Sequence, residues 1–264
     1  MDNKIGVFLT GGGARGSFEI GFFKALEELG IEYNAIFGSS VGALIGGAAT
    51  YMNSNEMFEC WKTITLETIL HIDSNKINTV SGKKRTIKLW RETLKACFND
   101  KFLISIEDTQ NLLYQQLVAS KIMESPIDFG IMTTKLPNLK LLKVFKKDMT
   151  EDNVLDYILA SLYLPIFQHE RIIDNNNYID IGAIRRYPIE VLKDYKTIFV
   201  VNTDNSPTKI TKRIKQANLK TNEVIVVNME RRPSILDFTE EQSEINLKDG
   251  YETTMKILKK HKKV

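Results

Sequence analysis

The sequence predicts an α/β protein with three α/β/α layers, in which a mostly parallel central sheet lies between helices. Three observations predict this fold class. Strand-like segments alternate with helical patterns, two glycine-rich turns directly follow the first two strand-like segments, and 43% of the 264 residues are hydrophobic. A chain of this length and composition can bury the core of one domain. We therefore expect a single domain over residues 1–264.

The first 52 residues predict a β-α-β-α unit. The strand-like segment Ile5–Leu9 is followed by apolar residues at helical spacing from Phe18 to Leu29, and Gly30 stands where a glycine commonly ends a helix. A second strand is expected from Ala35 to Phe37 and a second helix from Val41 to Met52.

The stretch from Ala35 to Asn53 has no charged side chain and is long enough to be a candidate membrane span. It also contains glycines four residues apart, at Gly38, Gly42 and Gly46, a spacing found where membrane helices pair. A strand, a sharp turn and a buried helix explain the same residues better. We therefore expect no transmembrane segment, and the amino-terminal residues predict no signal peptide.

Between Ser54 and about Glu124 the apolar spacing is helical and no strand pattern occurs. This stretch is expected to form a helical insertion over the sheet. It is either a cap over the functional site or ordinary helical packing.

The remaining segments restore the alternation of strands and helices. A helix is expected to open at Thr150, and a last helix to begin near Thr239 and end in a lysine-rich tail. The expected strands cover residues 128–132, 139–145, 171–173, 178–181, 197–201 and 223–227.

The two glycine-rich turns lie where open α/β sheets bind ligands, at the carboxyl ends of strands. The first, Gly11–Gly16, has the G-x-G-x-x-G spacing of a dinucleotide site, but no acidic residue follows the second strand to bind a ribose. It is not a P-loop, because Ser17 and Phe18 replace the Lys-Ser/Thr pair. The second turn, Gly38-x-Ser40-x-Gly42, has the pattern of a nucleophile elbow. Its glycines allow a close backbone approach around a strained serine.

Taken together, the two turns and their spacing resemble the patatin-like phospholipase family. The resemblance implies that Ser40 is a nucleophile and that the backbone amides of Gly12, Gly13 and Ala14 form an oxyanion hole, with Arg15 nearby. The segment Ala160-Ser161-Leu162-Tyr163-Leu164-Pro165 resembles the A-S-x-x-x-P segment of that family. The supporting glycines of the turns are Gly11, Gly16, Gly38 and Gly42.

The resemblance implies a second catalytic residue, an aspartate in a D-G-G/A turn with proline eight positions later. Asp180 matches this spacing to Pro188, and Gly182 belongs to the same turn. Ile181 and Arg186 depart from the family pattern, which has glycine and commonly asparagine at these positions. The nearest acidic alternative, Asp174, lies in a polar Asp-Asn-Asn-Asn sequence that predicts a hairpin turn.

A Ser-Asp dyad would hydrolyse a carboxylic ester through an acyl-enzyme, as a phospholipase A or a lysophospholipase does. The alternative mechanism is a Ser40, Asp180, His261 triad in the chain order of α/β-hydrolases. The other two histidines are His71, in a polar loop, and His169, which follows Pro165-Ile166-Phe167-Gln168 and is expected to lie closer to the site. Three scattered histidines have no metal-ligand spacing, so no metal and no cofactor are expected.

The net charge of +3 argues against nucleic acid as the main partner, and the two cysteines fit a reducing compartment such as the cytoplasm. The alternative to a lipid hydrolase is a nucleotide-binding or catalytically weak regulatory protein on the same scaffold.

The expected partner is a phospholipid or another lipid ester, with peripheral membrane contact through two clusters of basic residues. The two basic clusters are Lys209, Lys212, Arg213, Lys215 and Lys220, and Lys256, Lys259, Lys260, Lys262 and Lys263.

Overall fold

The computed structural model of the chain describes residues 4–70, 105–164, 173–180, 187–203 and 206–261. Its strands are β1 (Ile5–Leu9), β2 (Ala35–Ser39), β3 (Asp128–Lys135), β4 (Lys140–Phe145), β5 (Tyr178–Ile179), β6 (Thr197–Asn202) and β7 (Glu223–Asn228). Its α-helices are α1 (Gly16–Glu28), α2 (Val41–Ala49), α3 (Ser54–Lys62), α4 (Leu66–Leu70), α5 (Glu107–Gln116), α6 (Ala119–Glu124), α7 (Val154–Leu162), α8 (Pro207–Gln216) and α9 (Glu240–His261).

The seven described strands form one sheet in the order β4-β3-β2-β1-β6-β7, and β5 also pairs with β3. The pairs that join β3, β2, β1, β6 and β7 are all parallel. The two antiparallel strands, β4 and β5, both pair with β3. The central sheet is therefore mostly parallel, as the sequence predicts.

Helices cover both faces of the sheet. Val7 and Leu9 of β1 belong to a buried cluster with side chains of α1, α2, α3, α7 and α9. Phe8, between them, points to the other face and packs with Leu192 and with Ile210 of α8. Successive side chains of a strand point to opposite faces, so a strand buried on both faces is apolar throughout. These two cores confirm the three-layer α/β/α architecture.

The first helix ends at the glycine that the sequence indicates. Gly30 has a φ of 61°, and its amide donates to the carbonyl of Glu27 at 3.0 Å. The amide of Ile31 donates to the carbonyl of Leu26 at 2.9 Å. These two bonds satisfy carbonyls that the end of a helix leaves unpaired.

The uncharged stretch after residue 35 forms β2, a sharp turn and α2, with α2 ending at Ala49 rather than Met52. In the described ranges no helix is long and apolar enough to cross a membrane. The predicted helix at Thr150 begins later, at Val154, with Asn153 as its N-cap residue. The Asn153 side chain accepts the amide of Thr150 at 2.8 Å, which holds the residues before α7 in a turn.

The described parts of the insertion, residues 54–70 and 105–124, contain the helices α3 to α6. Residues 71–104, which include His71, lie outside the described residues. The interpretation of this insertion as a cap therefore stays a prediction.

The long helices α1 and α9 cross where each has a glycine. A Cβ atom on Gly21 would lie 2.0 Å from the carbonyl oxygen of Leu247, and one on Gly250 would lie 2.1 Å from that of Phe18. Neither position can accept a side chain unless the helices move apart.

We expect Gly21→Ala to lower the free energy of unfolding by about 1–3 kcal/mol, because overpacking costs more than alanine gains in helix propensity. Urea unfolding measures this change. Lys24→Ala, on the exposed side of α1, is the control and should leave the midpoint nearly unchanged. Equal stability of wild type and Gly21→Ala would contradict the close crossing.

Candidate active site

Ser40 stands alone between β2 and α2, in a strained backbone conformation. Its φ is 52° and its ψ is −135°, and its carbonyl accepts the amide of Ala43 at 2.8 Å. A Cβ on Gly38 would lie 2.1 Å from the carbonyl oxygen of Gly42, so the turn needs glycine there. The Ser40 side chain is half-buried at the carboxyl edge of the sheet. This is the geometry of a strand-to-helix elbow.

The glycine-rich turn after β1 touches this elbow directly. Gly11 has a φ of 67°, and a Cβ there would lie 2.2 Å from the carbonyl oxygen of Ser39 and 3.1 Å from the Cβ of Ser40. The Ser39 hydroxyl donates to the carbonyl of Thr10 at 2.8 Å. The two turns that the sequence singles out are therefore packed against each other.

β2 and β5 approach each other along the same side of β3. The last residue of β2, Ser39, pairs with Met132, whereas Ile179 of β5 pairs with Thr134. The opposite side of β3 is occupied by β4 throughout this region. β2 is parallel to β3 and β5 is antiparallel, so the two strands run towards each other.

Ser40 and Asp180 are the residues that follow these two strand ends. In the register of β3, both positions are level with Thr133. The Thr133 hydroxyl donates to the carbonyl of Ala160 at 2.6 Å and approaches that of Ile179 at 3.3 Å. Asp180 is 5% exposed. The sheet register thus brings the predicted nucleophile and the predicted base to one place.

The last turn of α7 and the residue that follows this helix hold both of these residues. The amide of Ser40 donates to the hydroxyl oxygen of Ser161 at 2.8 Å, and that hydroxyl donates to the carbonyl of Met132 at 2.7 Å. Two residues later, the carbonyl of Tyr163 accepts the amide of Asp180 at 2.7 Å. Ser161 is fully buried. The A-S-x-x-x-P segment is visible in the sequence, but the bond from Ser161 to Ser40 is not, because the two residues lie 121 positions apart.

The four amides of the first turn are used differently. The Gly11 amide donates to Oε1 of Glu19 at 2.9 Å, and the Ala14 amide donates to the carbonyl of Ile235 at 2.8 Å. For the amides of Gly12 and Gly13 the described part of the chain provides no acceptor. The structure therefore differs from the predicted set of three oxyanion donors, since Ala14 is bound to the loop after β7.

Arg15 holds this turn in place, and Gly16 lets its end pack closely against α2. The Arg15 side chain donates from Nε to the carbonyl of Pro233 at 2.9 Å and from Nη1 to that of Thr203 at 3.0 Å. A Cβ on Gly16 would lie 2.4 Å from Cγ1 of Val41. Arg15 thus joins the turn to the loops that follow β6 and β7.

The histidine of the alternative triad lies far from Ser40. Nδ1 of His261 is 3.8 Å from the carboxylate of Glu223, the first residue of β7. Because β7 and β2 point the same way in the sheet, His261 lies at the amino edge and Ser40 at the carboxyl edge. The Ser40, Asp180, His261 triad is therefore wrong.

Other candidate residues are accounted for or lie outside the described ranges. Asp174 is exposed in a hairpin turn with a φ of 47°, as its sequence predicts. Among described residues there is no group of three metal-ligating side chains. His169, Ile181, Gly182, Arg186, Lys262 and Lys263 lie outside the described ranges.

The three-layer fold and the two facing turns define an α/β protein with a serine elbow at the carboxyl edge of its sheet. The model of the family described as patatin-like phospholipase matches residues 7–193. The chain belongs to the patatin-like phospholipase family.

Two relatives match short segments. "Lysophospholipase NTE1" of Cryptococcus neoformans is 46% identical over 56 residues, which are 21% of this chain and 3% of that protein. "Neuropathy target esterase sws" of Drosophila melanogaster is 52% identical over 44 residues, which are 17% of this chain and 3% of that protein. The matched segments thus span a small part of these relatives.

Two solved structures have a similar fold over 98% of the chain. VipD from Legionella pneumophila has a TM-score of 0.56 at 15% identity, with 67% of its chain covered. ExoU in its complex with SpcU from Pseudomonas aeruginosa has a TM-score of 0.50 at 15% identity, with 52% covered.

Ser161→Ala would remove the fully buried hydroxyl that accepts the Ser40 amide and donates to the Met132 carbonyl. We expect the free energy of unfolding to fall by about 1–3 kcal/mol. Urea unfolding measures this loss. Thr211→Ala is the control, because it removes an exposed hydroxyl bound only to the carbonyl of Pro207. A loss no larger than that of the control would contradict the role of Ser161.

Proposed function

We propose that the chain hydrolyses carboxylic esters of lipids, with Ser40 as nucleophile, Asp180 as base and the amides of Gly12 and Gly13 as oxyanion donors. The observation that carries this proposal is the convergence of Ser40 and Asp180 beside Thr133, with the glycine-rich turn packed against Ser40. Membership of the patatin-like phospholipase family supports a lipid hydrolase.

In the proposed reaction, Oγ of Ser40 attacks the ester carbonyl carbon while the Asp180 carboxylate accepts its proton. The tetrahedral intermediate collapses, the carbon–oxygen bond of the leaving group breaks, and Asp180 returns the proton to the leaving alkoxide. Water then attacks the acyl-enzyme, Asp180 takes a proton from that water, and Ser40 recovers its hydrogen as the fatty acid leaves.

The oxyanion donors carry much of the catalytic effect, because a carboxylate is a weak base for a serine hydroxyl. One backbone donor aimed at the developing oxyanion is typically worth about 3–4 kcal/mol. The Gly12 and Gly13 amides have no acceptor among the described residues, so they are available for this role. The Ala14 amide is engaged by Ile235 and is left out of the proposal.

The proposed substrates are phospholipids or lysophospholipids. Support comes from the family and from the names of the relatives, one a lysophospholipase and the other an esterase. Such substrates are presented at lipid surfaces, so the catalytic edge of the sheet should face the lipid.

The turn between β3 and β4 is the proposed lipid contact. It extends three residues beyond the pairing of Ser39 with Met132, at the same edge as Ser40. Leu139, the last residue of this turn, has 55% of its surface exposed, and the paired residues Lys135 and Lys140 close the turn. An apolar turn residue beside two lysines fits an anionic bilayer, in which the leucine enters the interface and the lysines bind headgroups. The lysines at the end of α9 lie at the opposite edge, next to Glu223.

Replacing Ser40 with alanine tests the nucleophile. We expect turnover of p-nitrophenyl butyrate to fall at least about 1,000-fold without loss of folding, and Asp180→Asn to be nearly as damaging. A fluorophosphonate probe should label wild type on the peptide that contains Ser40. His261→Ala is the control and should retain activity. Unchanged turnover by Ser40→Ala would show that Ser40 is not the nucleophile. If the probe does not label wild type and a nucleotide raises its thermal stability, the alternative of a regulatory protein is favoured.

The double variant Leu139→Asp, Lys140→Glu tests the lipid contact. Burying a leucine contributes about 1.5–3 kcal/mol and each interfacial lysine about 1 kcal/mol, so binding to phosphatidylserine-containing vesicles should weaken at least about 10-fold. Sedimentation with vesicles measures the binding, and hydrolysis of the water-soluble ester should not change. Lys193→Glu, exposed just before β6 at the amino edge, is the matched control. Equal binding by wild type and the double variant, or equal loss in the control, would contradict the contact.

A further inference from the structure

Glu19 is a fully buried carboxyl group that the proposed mechanism does not use. It lies in α1 with 0% of its surface exposed, and its Oε1 accepts the amide of Gly11 at 2.9 Å. Its Oε2 is also buried and has no hydrogen-bond partner among the described residues. Acidic side chains are rarely buried without a compensating charge. Among the described residues the two buried acidic side chains are Glu19 and Asp180, and both adjoin the candidate site.

The group that Glu19 binds controls the geometry of the oxyanion turn. Gly11 is the residue that touches Ser39 and Ser40, and its carbonyl accepts the hydroxyl of Thr203. That carbonyl and the Gly12 amide belong to one planar trans peptide, so they point in opposite directions. Glu19 and Thr203 therefore hold the two ends of Gly11 and orient the Gly12 amide away from Thr203.

Burial determines the charge of Glu19. It raises the pKa of the carboxyl group to about 8, although the hydrogen bond from Gly11 acts in the opposite direction. At neutral pH the group is therefore mostly protonated. A neutral acid can accept the Gly11 amide without placing a negative charge behind the proposed oxyanion donors.

Within the described ranges, the elements packed against α1 bring no buried charge to Glu19. Helix α2 has no ionisable residue, and the buried side chains of α9 are all uncharged. On α3, Glu56 caps its own helix and Glu59 pairs with Lys62. In the adjoining turn, Arg15 is directed to the carbonyls of Pro233 and Thr203.

We propose that Glu19 is a positioning residue whose neutral form holds the Gly11 amide and so aligns the amides of Gly12 and Gly13, and whose ionisation at alkaline pH slows acyl transfer. This inference rests on the proposed esterase function. Ionisation would put a negative charge on the far side of Gly11 from the oxyanion, where it opposes the charge that develops in the transition state.

Glu19→Gln and Glu19→Leu separate charge from hydrogen bonding. Glutamine keeps an oxygen for the Gly11 amide but cannot ionise, so activity at neutral pH should be retained and the loss of kcat above about pH 8 should disappear. Leucine removes the acceptor and should lower kcat at least about 10-fold at all pH values with little change in KM. The rate of fluorophosphonate labelling as a function of pH should show the same alkaline limb. Labelling is a single reaction of the serine, so its rate does not depend on product release. A merely structural role would leave the alkaline limb in place.

Glu27→Gln is the matched control. Glu27 lies on the same helix but binds the amide and hydroxyl of Ser54, away from the turn. Its replacement should leave the alkaline limb where wild type has it. An alkaline limb that persists in Glu19→Gln, or its absence in wild type, would overturn the proposal.

The pH dependence of stability tests the protonation of Glu19 separately from catalysis. The folded-state pKa of about 8 exceeds the ordinary value of 4.5, so folding takes up a proton between these values and stability falls as pH rises through this range. Glu19→Gln should flatten this slope by one proton. If Glu19→Gln does not fold, infrared titration of wild type and of Asp180→Asn decides. The carboxylic-acid band of Glu19 should remain in Asp180→Asn. In wild type it should disappear, as pH rises, with the same midpoint as fluorophosphonate labelling. A different midpoint would overturn the proposal. If Glu19→Gln loses the slope while Ser40→Ala keeps its turnover, the protonation of Glu19 stands and only the role of Ser40 as nucleophile is refuted.

Discussion

The two glycine-rich turns can meet only because residue 11 has no side chain. Its Cα lies so close to the β2 end that a single added carbon would be 2.2 Å from the carbonyl oxygen of Ser39. The positive φ of Gly11 adds a conformational reason for the same residue. All other features of the site depend on this approach, since it brings the first turn within reach of Ser40.

The sheet supplies the second constraint. Parallel strands end at one edge, which places the turns after β1 and β2 side by side. The antiparallel β5 reaches that edge from the opposite direction and delivers Asp180. A two-residue strand is short, but Tyr163 and Thr133 anchor it from two sides. Membership of the patatin-like phospholipase family and the three-layer fold agree with Ser40 and Asp180 lying at one edge of the sheet. Their roles in ester hydrolysis are proposed.

Local patterns in the sequence predict the β1-α1-β2-α2 unit, because apolar spacing, Gly30 and the two turn motifs each act over a few residues. The G-x-S-x-G pattern also selects Ser40 as a candidate nucleophile, whereas Asp180 is a candidate because of the resemblance to the patatin-like phospholipase family. Local patterns do not reveal that Ser161 accepts the Ser40 amide or that Ile235 occupies the amide of Ala14, since these contacts join residues far apart in the chain. His261 has the chain order of a hydrolase triad, but α9 carries it to the wrong edge of the sheet. Chain order alone contains no information about that placement.

The first turn is completed by residues from the far end of the chain. Ile235 accepts the Ala14 amide, and Nδ2 of Asn246 donates to the Ala14 carbonyl across 232 positions of sequence. During synthesis, residues 11–14 leave the ribosome long before α9 is made. The nascent chain therefore contains the Ser40 elbow before the glycine-rich turn beside it has all of its contacts. These two contacts can therefore form only after residues 235 and 246 have been synthesised, and an amino-terminal fragment that contains both glycine-rich turns would lack them.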